Sequence, residues 1–194
     1  MKALKNLFFG FILSVLFPLL LTAQHHDKGK MENHKSHKSQ QMEQYNASSD
    51  FKDQLKSVFQ AYIGLKEALV ASDASRASTK AKLVATQLRK VDGTALDSDA
   101  KQAWEKWSGN LGSKLAQIQS AKDINTQRKA FAPVSNALYY AVQSFGVKGL
   151  DAYYQFCPMA HNGQGAHWMS EDKAIQNPYF GSKMMKCGKT VEEL

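Results

Sequence analysis

Apolar residues recur at alternating intervals of four and three positions through most of the chain between residues 51 and 145. The first such series is Phe51, Leu55, Val58, Tyr62, Leu65 and Leu69. Side chains at this spacing lie along one face of an α-helix. Three further segments repeat the pattern up to Phe145. This part of the chain is therefore predicted to form amphipathic helices that bury their apolar faces against one another.

Capping signals divide this region into four helices. The residues that can cap the N-termini are Ser48, Asp73, Asp97 or Ser98, and Asp123. Gly146 would end the last helix, and we expect Pro133 to kink or break it because proline has no amide hydrogen. Four helices with short connections predict an up-down-up-down antiparallel bundle. The predicted fold class is all-α, with an irregular Cys/Met-rich C-terminal extension packed on the bundle.

Residues 1–23 have the layout of a secretory signal peptide. Lys2 and Lys5 form a basic start, residues 7–21 are mostly apolar, and Ala23 is a small residue before the expected cleavage site. The apolar run is shorter than the roughly 20 residues of a membrane-spanning helix, although an uncleaved anchor is the alternative. We expect a periplasmic protein with no membrane span once the signal peptide is removed.

Residues 24–47 are predicted to be a disordered tail, because they contain almost nothing apolar to bury. This tail contains four of the six histidines: His25, His26, His34 and His37. A histidine-rich tract can capture metal ions in an auxiliary role, and a solvated linker without function is the alternative. The helical-bundle domain, including the Cys/Met motif at residues 157–188, is predicted to span residues 48–190.

Charge and motif content argue against several classes of function. The net charge is +8, but the basic residues are scattered among acidic ones, so we expect no nucleic-acid binding. Neither a local signature of a catalytic triad nor a glycine-rich phosphate loop occurs, so we expect no enzymatic activity. No histidine lies between residues 38 and 160, which leaves the bundle without the usual ligand for haem.

Residues 157–188 contain both cysteines and four of the seven methionines. Thiolates and thioethers are the ligands that copper(I) prefers. In an extended chain Cys157 and Met159 would lie on the same side, and on a short helix Met184 and Cys187 would share a face. These four residues predict a copper(I) site, with silver(I) as the second candidate ion.

Two alternatives to this ligand set remain open. His161 and His167 are candidate additional ligands, and with the two cysteines they would also suit zinc. A disulfide between Cys157 and Cys187 is the other alternative, since both would be in an oxidising compartment. It would close a loop of about 30 residues and contribute about 3 kcal/mol, and no metal would then bind. The domain would in that case be an envelope interaction module.

Several segments resemble an uncharacterised domain of exported bacterial proteins, which is also appended to periplasmic adaptor subunits of copper/silver efflux pumps. These segments are residues 61–73 (AYIGLKEALVASD), 127–131 (QRKAF), 156–160 (FCPMA), 165–168 (GAHW), 177–181 (NPYFG) and 184–188 (MMKCG). The resemblance covers residues 50–190 and implies a role in heavy-metal handling, with an efflux complex or another envelope protein as partner. The resemblance implies that Cys157, Met159, Met184 and Cys187 are the motif positions. His161 and His167 are not positions of that motif.

Overall fold

Four long helices make up most of the structure, a computed structural model that describes residues 42–147 and 149–194. Their bounds are α1 Ser49–Val70, α2 Ala74–Leu88, α3 Ser98–Ser120 and α4 Ile124–Phe145. Consecutive helices pack together, and α1 also contacts α4. The predicted helical bundle is therefore confirmed. The signal peptide and the four tail histidines that were predicted lie outside the described residues.

The helix ends follow the capping signals in the sequence. Ser48 Oγ accepts a 3.2 Å hydrogen bond from the amide of Phe51, and aspartate caps begin the other three helices. Gly146 ends α4 in the left-handed conformation, with φ +59°. The expected break at Pro133 does not occur, because α4 continues through this residue. The carbonyl left without a partner belongs to the exposed Lys129, where water can solvate it.

Residues 42–47, which belong to the segment predicted as a tail, run along the bundle without regular secondary structure. The Tyr45 amide donates a 2.8 Å hydrogen bond to the carbonyl of Ser144. The Tyr45 ring also contacts the rings of Trp107 and Phe145. One aromatic residue thus attaches this segment to the end of α4.

A small antiparallel sheet follows the bundle, and it corrects the prediction of an all-α fold. Its strands are β1 Tyr153–Cys157, β2 Ala166–Ser170 and β3 Lys189–Glu193, in the order β2-β1-β3. β3 is short and polar, so its conformation depends on pairing with β1 rather than on an apolar pattern of its own.

The two faces of the sheet have different neighbours. Strand pairing places Tyr154 and Met169 on one face, where Tyr154 stacks on Tyr139 of α4 at 3.8 Å between ring centroids. Cys157 and Trp168 are on the other face, since side chains alternate along a strand. The loop at residues 171–188 covers that second face.

No helix of the described ranges, residues 42–147 and 149–194, is long and apolar enough to cross a membrane.

Candidate functional site

The two cysteines meet at one end of the sheet. Cys157 is the last residue of the central strand β1, and Cys187 lies two residues before β3. Their sulfur atoms are 3.1 Å apart, and both are free thiols. This distance exceeds the ~2.05 Å of a disulfide. It is shorter than the roughly 3.5–4 Å expected for two sulfurs that share a metal ion, given metal–sulfur bonds of about 2.3 Å.

Asn177 fixes the backbone around Cys187. Its side-chain amide donates a 2.7 Å hydrogen bond to the Cys187 carbonyl, and its Oδ1 accepts one of 2.8 Å from the Tyr179 amide. Its own backbone amide donates to the Met185 carbonyl at 2.9 Å. Asn177 is fully buried, so each of these bonds replaces a contact with water that it has lost. The second cysteine is therefore held by the turn at residues 177–181.

Arg128 attaches this turn to the bundle. Its Nε donates a 2.8 Å hydrogen bond to the Pro178 carbonyl. Its Nη2 donates to the Leu69 carbonyl at 2.9 Å and to Ser72 Oγ at 2.8 Å, both at the end of α1. The side chain is buried, and burial lowers the pKa of Arg128. One side chain of α4 thus links α1 to the loop that carries Cys187.

Gly181 is required where the same turn meets the end of α1. Its φ is +58°, a conformation that side chains other than glycine rarely adopt. A Cβ atom at this position would lie 2.5 Å from Ser72 Oγ and 2.8 Å from the Val70 carbonyl oxygen. This close approach to the end of α1 therefore explains why the last residue of the NPYFG segment is a glycine.

Tyr179 connects the turn to the sheet. It is buried, and its hydroxyl donates a short hydrogen bond to the carbonyl of His167 in β2. Its ring contacts Trp168 of the sheet and Phe131 of α4. The turn at residues 177–181 therefore joins the bundle, the sheet and Cys187 in one packed unit.

The two methionines predicted as ligands lie at the surface, and the segments that carry them do not have the predicted local geometry. Strand β1 ends at Cys157, and Met159 has φ −83° and ψ −12°, so the segment is a turn rather than extended chain. Met184 follows the 3₁₀ turn Gly181–Lys183. Its carbonyl accepts a 3.0 Å hydrogen bond from the Cys187 amide, which makes a tight turn instead of a helix. Met159 is 53% exposed and Met184 is 37% exposed.

The environment of Cys187 favours its protonated form. Its hydrogen bond with Cys157 is the main cause that raises the pKa of the Cys187 thiol, and burial raises it further. The backbone amide of Met159 acts in the opposite direction. A metal that binds this thiol must therefore displace a proton.

The two histidines occupy different places. His161, two residues after Met159, lies in a left-handed turn with φ +51°, and its buried Nε2 has no hydrogen-bond partner in the part of the chain that the structure describes. Burial is the main cause that lowers the pKa of His161, and the charge of Lys129 adds to it. His167 lies on the sheet face opposite Cys157, with its ring centroid 4.7 Å from Tyr154 and 4.5 Å from Phe156. The structure thus brings His161 near Met159 and places His167 away from the thiols.

Within residues 42–147 and 149–194, no group of three or more histidine, cysteine, aspartate or glutamate side chains is arranged to hold a metal ion. The zinc set of two cysteines and two histidines is therefore not assembled here. Two thiols with neighbouring thioethers form a different ligand class, to which that statement does not apply.

Two residues that position the site were missed in the sequence. Arg128 was noted only within the resembling segment 127–131 and was given no role, because an arginine in an amphipathic helix is ordinarily a surface residue. Asn177 was noted only within the resembling segment 177–181. The run of a polar residue, proline, aromatics and glycine was the available indication that this turn is packed rather than exposed.

Comparison with known proteins finds a match to a family model within residues 58–149, which include most of the bundle. No curated protein and no solved structure matches the chain. The matched residues end before Cys157, so the Cys/Met motif lies outside the match. The match does not show a link to efflux adaptors. Residues 58–149, slightly under half of the chain, carry a domain that matches the family described as a protein of unknown function (DUF3347).

Proposed function

We propose that this protein is a periplasmic copper(I)-binding protein that acts in heavy-metal handling or efflux, with silver(I) as a second ion of the same class. The observation that carries the proposal is the 3.1 Å approach of the Cys157 and Cys187 sulfurs. Cys157 is buried, whereas Cys187 is partly exposed at the surface. An ion can therefore reach the pair from the side of Cys187.

The chemistry of the neighbouring residues supports the choice of ion. Met159 and Met184 are each within three residues of a cysteine along the chain, and both are exposed. Thioethers bind copper(I) and silver(I) but are poor ligands for zinc. His161, whose Nε2 has no partner, is a further donor close to Met159.

Entry of an ion requires a small rearrangement of the sulfurs. The distance between the two sulfurs must increase by roughly 0.5–1 Å, because two sulfurs bonded to the same metal ion lie farther apart. Rotation of the partly exposed Cys187 side chain supplies that movement, because Asn177 holds the Cys187 backbone and not its sulfur. The proton on Cys187 must leave, so copper affinity rises with pH.

The proposal includes the parts of the chain that the sequence linked to metal handling. His25, His26, His34 and His37 would capture ions in an auxiliary role. A heavy-metal efflux complex or another envelope protein would receive the ion. These roles rest on the sequence, since the histidines lie outside the described residues.

A second candidate function is a disulfide-stapled envelope interaction module without metal. The same sulfur contact supports it, because a shift of about 1 Å would bring the sulfurs to bonding distance. Both thiols would lose a proton, and two electrons would pass to an external thiol oxidant as the S–S bond forms.

Copper(I) titration of the reduced protein against a competing chelator tests the first proposal. Cys157→Ser and Cys187→Ser should remove tight binding. Met159→Leu and Met184→Leu should each weaken it by about tenfold, which corresponds to roughly 1.4 kcal/mol. Met185→Leu is the matched control and should leave the affinity unchanged. If both cysteine variants bind copper(I) as tightly as the unmodified protein, the proposed site is wrong.

Thiol counting separates the two candidates. Protein isolated without reductant is titrated with a thiol reagent before and after reduction. No free thiol before reduction, together with no copper(I) uptake after it, would favour the disulfide-stapled module. Copper(I) uptake after reduction that depends on both cysteines would favour the metal-binding function.

A further inference from the structure

A pocket lies between the first turns of α4 and the left-handed turn after β1. Its volume is about 270 Å³. Asn125, Arg128 and Lys129 line it from the helix, and His161 and Asn162 line it from the turn together with Met159, a candidate copper(I) ligand. Among the described residues, none that lines this pocket carries a carboxylate. Its polar groups are therefore hydrogen-bond donors, amides and positive charges.

Arg128 brings a buried positive charge to this pocket. Only 8% of the residue is exposed, and its three hydrogen bonds all go to neutral oxygen atoms. In the described part of the chain, its guanidinium group forms no ion pair with a carboxylate. A buried charge without a counter-charge is costly, and an anion beside it would remove that cost. Nε and Nη2 are occupied, which leaves Nη1 for a ligand.

His161 adds an unused polar atom. Its Nε2 is buried and has no hydrogen-bond partner among residues 42–147 and 149–194, although buried polar atoms are rarely left unpaired. The residue and Asn162 both have positive φ, +51° and +59°, which residues other than glycine seldom adopt. Such conformations persist where the surrounding structure imposes them, and they are frequent at ligand sites.

Lys129 makes the pocket more positive. It is exposed at the rim, and its charge acts on His161. The first backbone amides of α4, those of Asn125 and Thr126, already donate to the Asp123 carboxylate. Recognition in this pocket therefore depends on side chains and not on the free end of a helix.

We propose that this pocket binds a small oxyanion, a phosphate or carboxylate group, held by the Arg128 guanidinium, His161 and the amide of Asn162, with Lys129 at the rim. Arginine matches such groups because its planar donors can meet two oxygens at once. The site requires no metal, so this inference goes beyond the proposed function. It shares His161 with the possible donors to copper(I), and it is therefore tested on the metal-free protein.

Isothermal titration calorimetry on the purified, metal-free protein tests the proposal. Potassium phosphate or sodium succinate is injected at an ionic strength held constant with potassium chloride. Saturable binding of one anion per protein is expected for at least one of the two probes. Lys129→Gln should weaken it by about fivefold, because it removes one partly screened charge. Asn162→Gly should also weaken it, since glycine keeps the left-handed turn but removes the amide.

The controls separate a built site from general attraction. Lys114→Gln removes the same charge from the groove between α3 and α4 and should leave the affinity unchanged. Cys187→Ser, which should remove copper(I), should retain the anion. Binding of phosphate alone or of succinate alone identifies the preferred oxyanion and supports the site. Absence of saturable binding, or an equal loss in Lys114→Gln and Lys129→Gln, would overturn the proposal.

Discussion

The side-chain amide of Asn177 donates a 2.7 Å hydrogen bond to the carbonyl oxygen of Cys187, the residue whose sulfur meets Cys157. Asn177→Asp keeps the acceptor for the Tyr179 amide but replaces this donor with a carboxylate oxygen. The variant should lose about 2–3 kcal/mol of unfolding free energy, because a buried carbonyl loses its partner and faces a charge. Urea denaturation measures the loss.

The neighbouring residue supplies a matched control for this change. Gln176 makes only an exposed contact of 3.4 Å with Asp172, so Gln176→Glu should change stability by less than about 0.5 kcal/mol. The Cys187 thiol should also react faster with a thiol reagent in Asn177→Asp than in Gln176→Glu. Equal stabilities of the two variants would show that Asn177 does not hold the loop.

Two glycines should respond to alanine in opposite directions. Gly181→Ala should cost more than about 2 kcal/mol, because φ is +58° and the new methyl group would lie 2.5 Å from Ser72 Oγ. Gly109→Ala in α3 should gain about 0.5–1 kcal/mol, since nothing lies within 4 Å of its Cβ position and alanine favours a helix. Thermal or urea unfolding of both variants checks the pair, and a neutral Gly181→Ala would contradict the close contact.

The hydroxyl of Tyr62 joins the bundle to the sheet. It lies 2.7 Å from Ser135 Oγ and accepts a 3.1 Å hydrogen bond from the Met169 amide of β2. Tyr62→Phe should therefore cost about 1–3 kcal/mol, because buried partners are left unpaired. Tyr140→Phe, at a 46% exposed tyrosine, should change stability by less than about 0.5 kcal/mol. Hydrogen exchange should show the amide of Met169 opening more often in Tyr62→Phe only.

Acid should destabilise the protein through His167. Burial lowers the pKa of His167 below its ordinary value of 6.5. The unfolded chain therefore takes up a proton as the pH falls through 6.5, before the folded chain does. The contribution of His167 to stability is complete above that pH and decreases below it.

His167→Phe tests this pH dependence because it keeps an aromatic ring between Tyr154 and Phe156 but cannot titrate. Urea unfolding at pH 7.5, 6.5 and 5.5 measures the effect. The decrease in unfolding free energy between pH 7.5 and 5.5 should be smaller in the variant than in the unmodified protein. An identical decrease in both proteins would exclude His167 as a source.

The helical part of the fold could be predicted because its causes are local. The apolar face of α1 and its cap at Ser48 are both determined by residues close together in the sequence. The sheet could not be predicted in the same way. Residues of β3 such as Lys189 and Glu193 form a strand only because β1, some 35 residues earlier, offers an edge for pairing.

The candidate site was predictable in composition but not in geometry. The sequence indicated that Cys157 and Cys187 belong to one cluster, and their sulfurs are in contact. It did not indicate that His167 lies on the opposite face of the sheet, because the register that decides its face comes from pairing with Phe156. The role of Arg128 was not predictable either, since its partners come from two segments far apart in the chain, the end of α1 and the turn at residues 177–181.

The meeting of the two sulfurs depends on the last strand of the sheet. Phe156 pairs with Lys189, and this pairing places the start of β3 beside the end of β1. Detachment of β3 would leave Cys187 held only from the side of Asn177, while β1 would remain paired with β2. The separation of the two thiols should therefore increase when β3 opens. A probe that reacts with two adjacent thiols would distinguish molecules with a complete sheet from those in which its outer strand has opened.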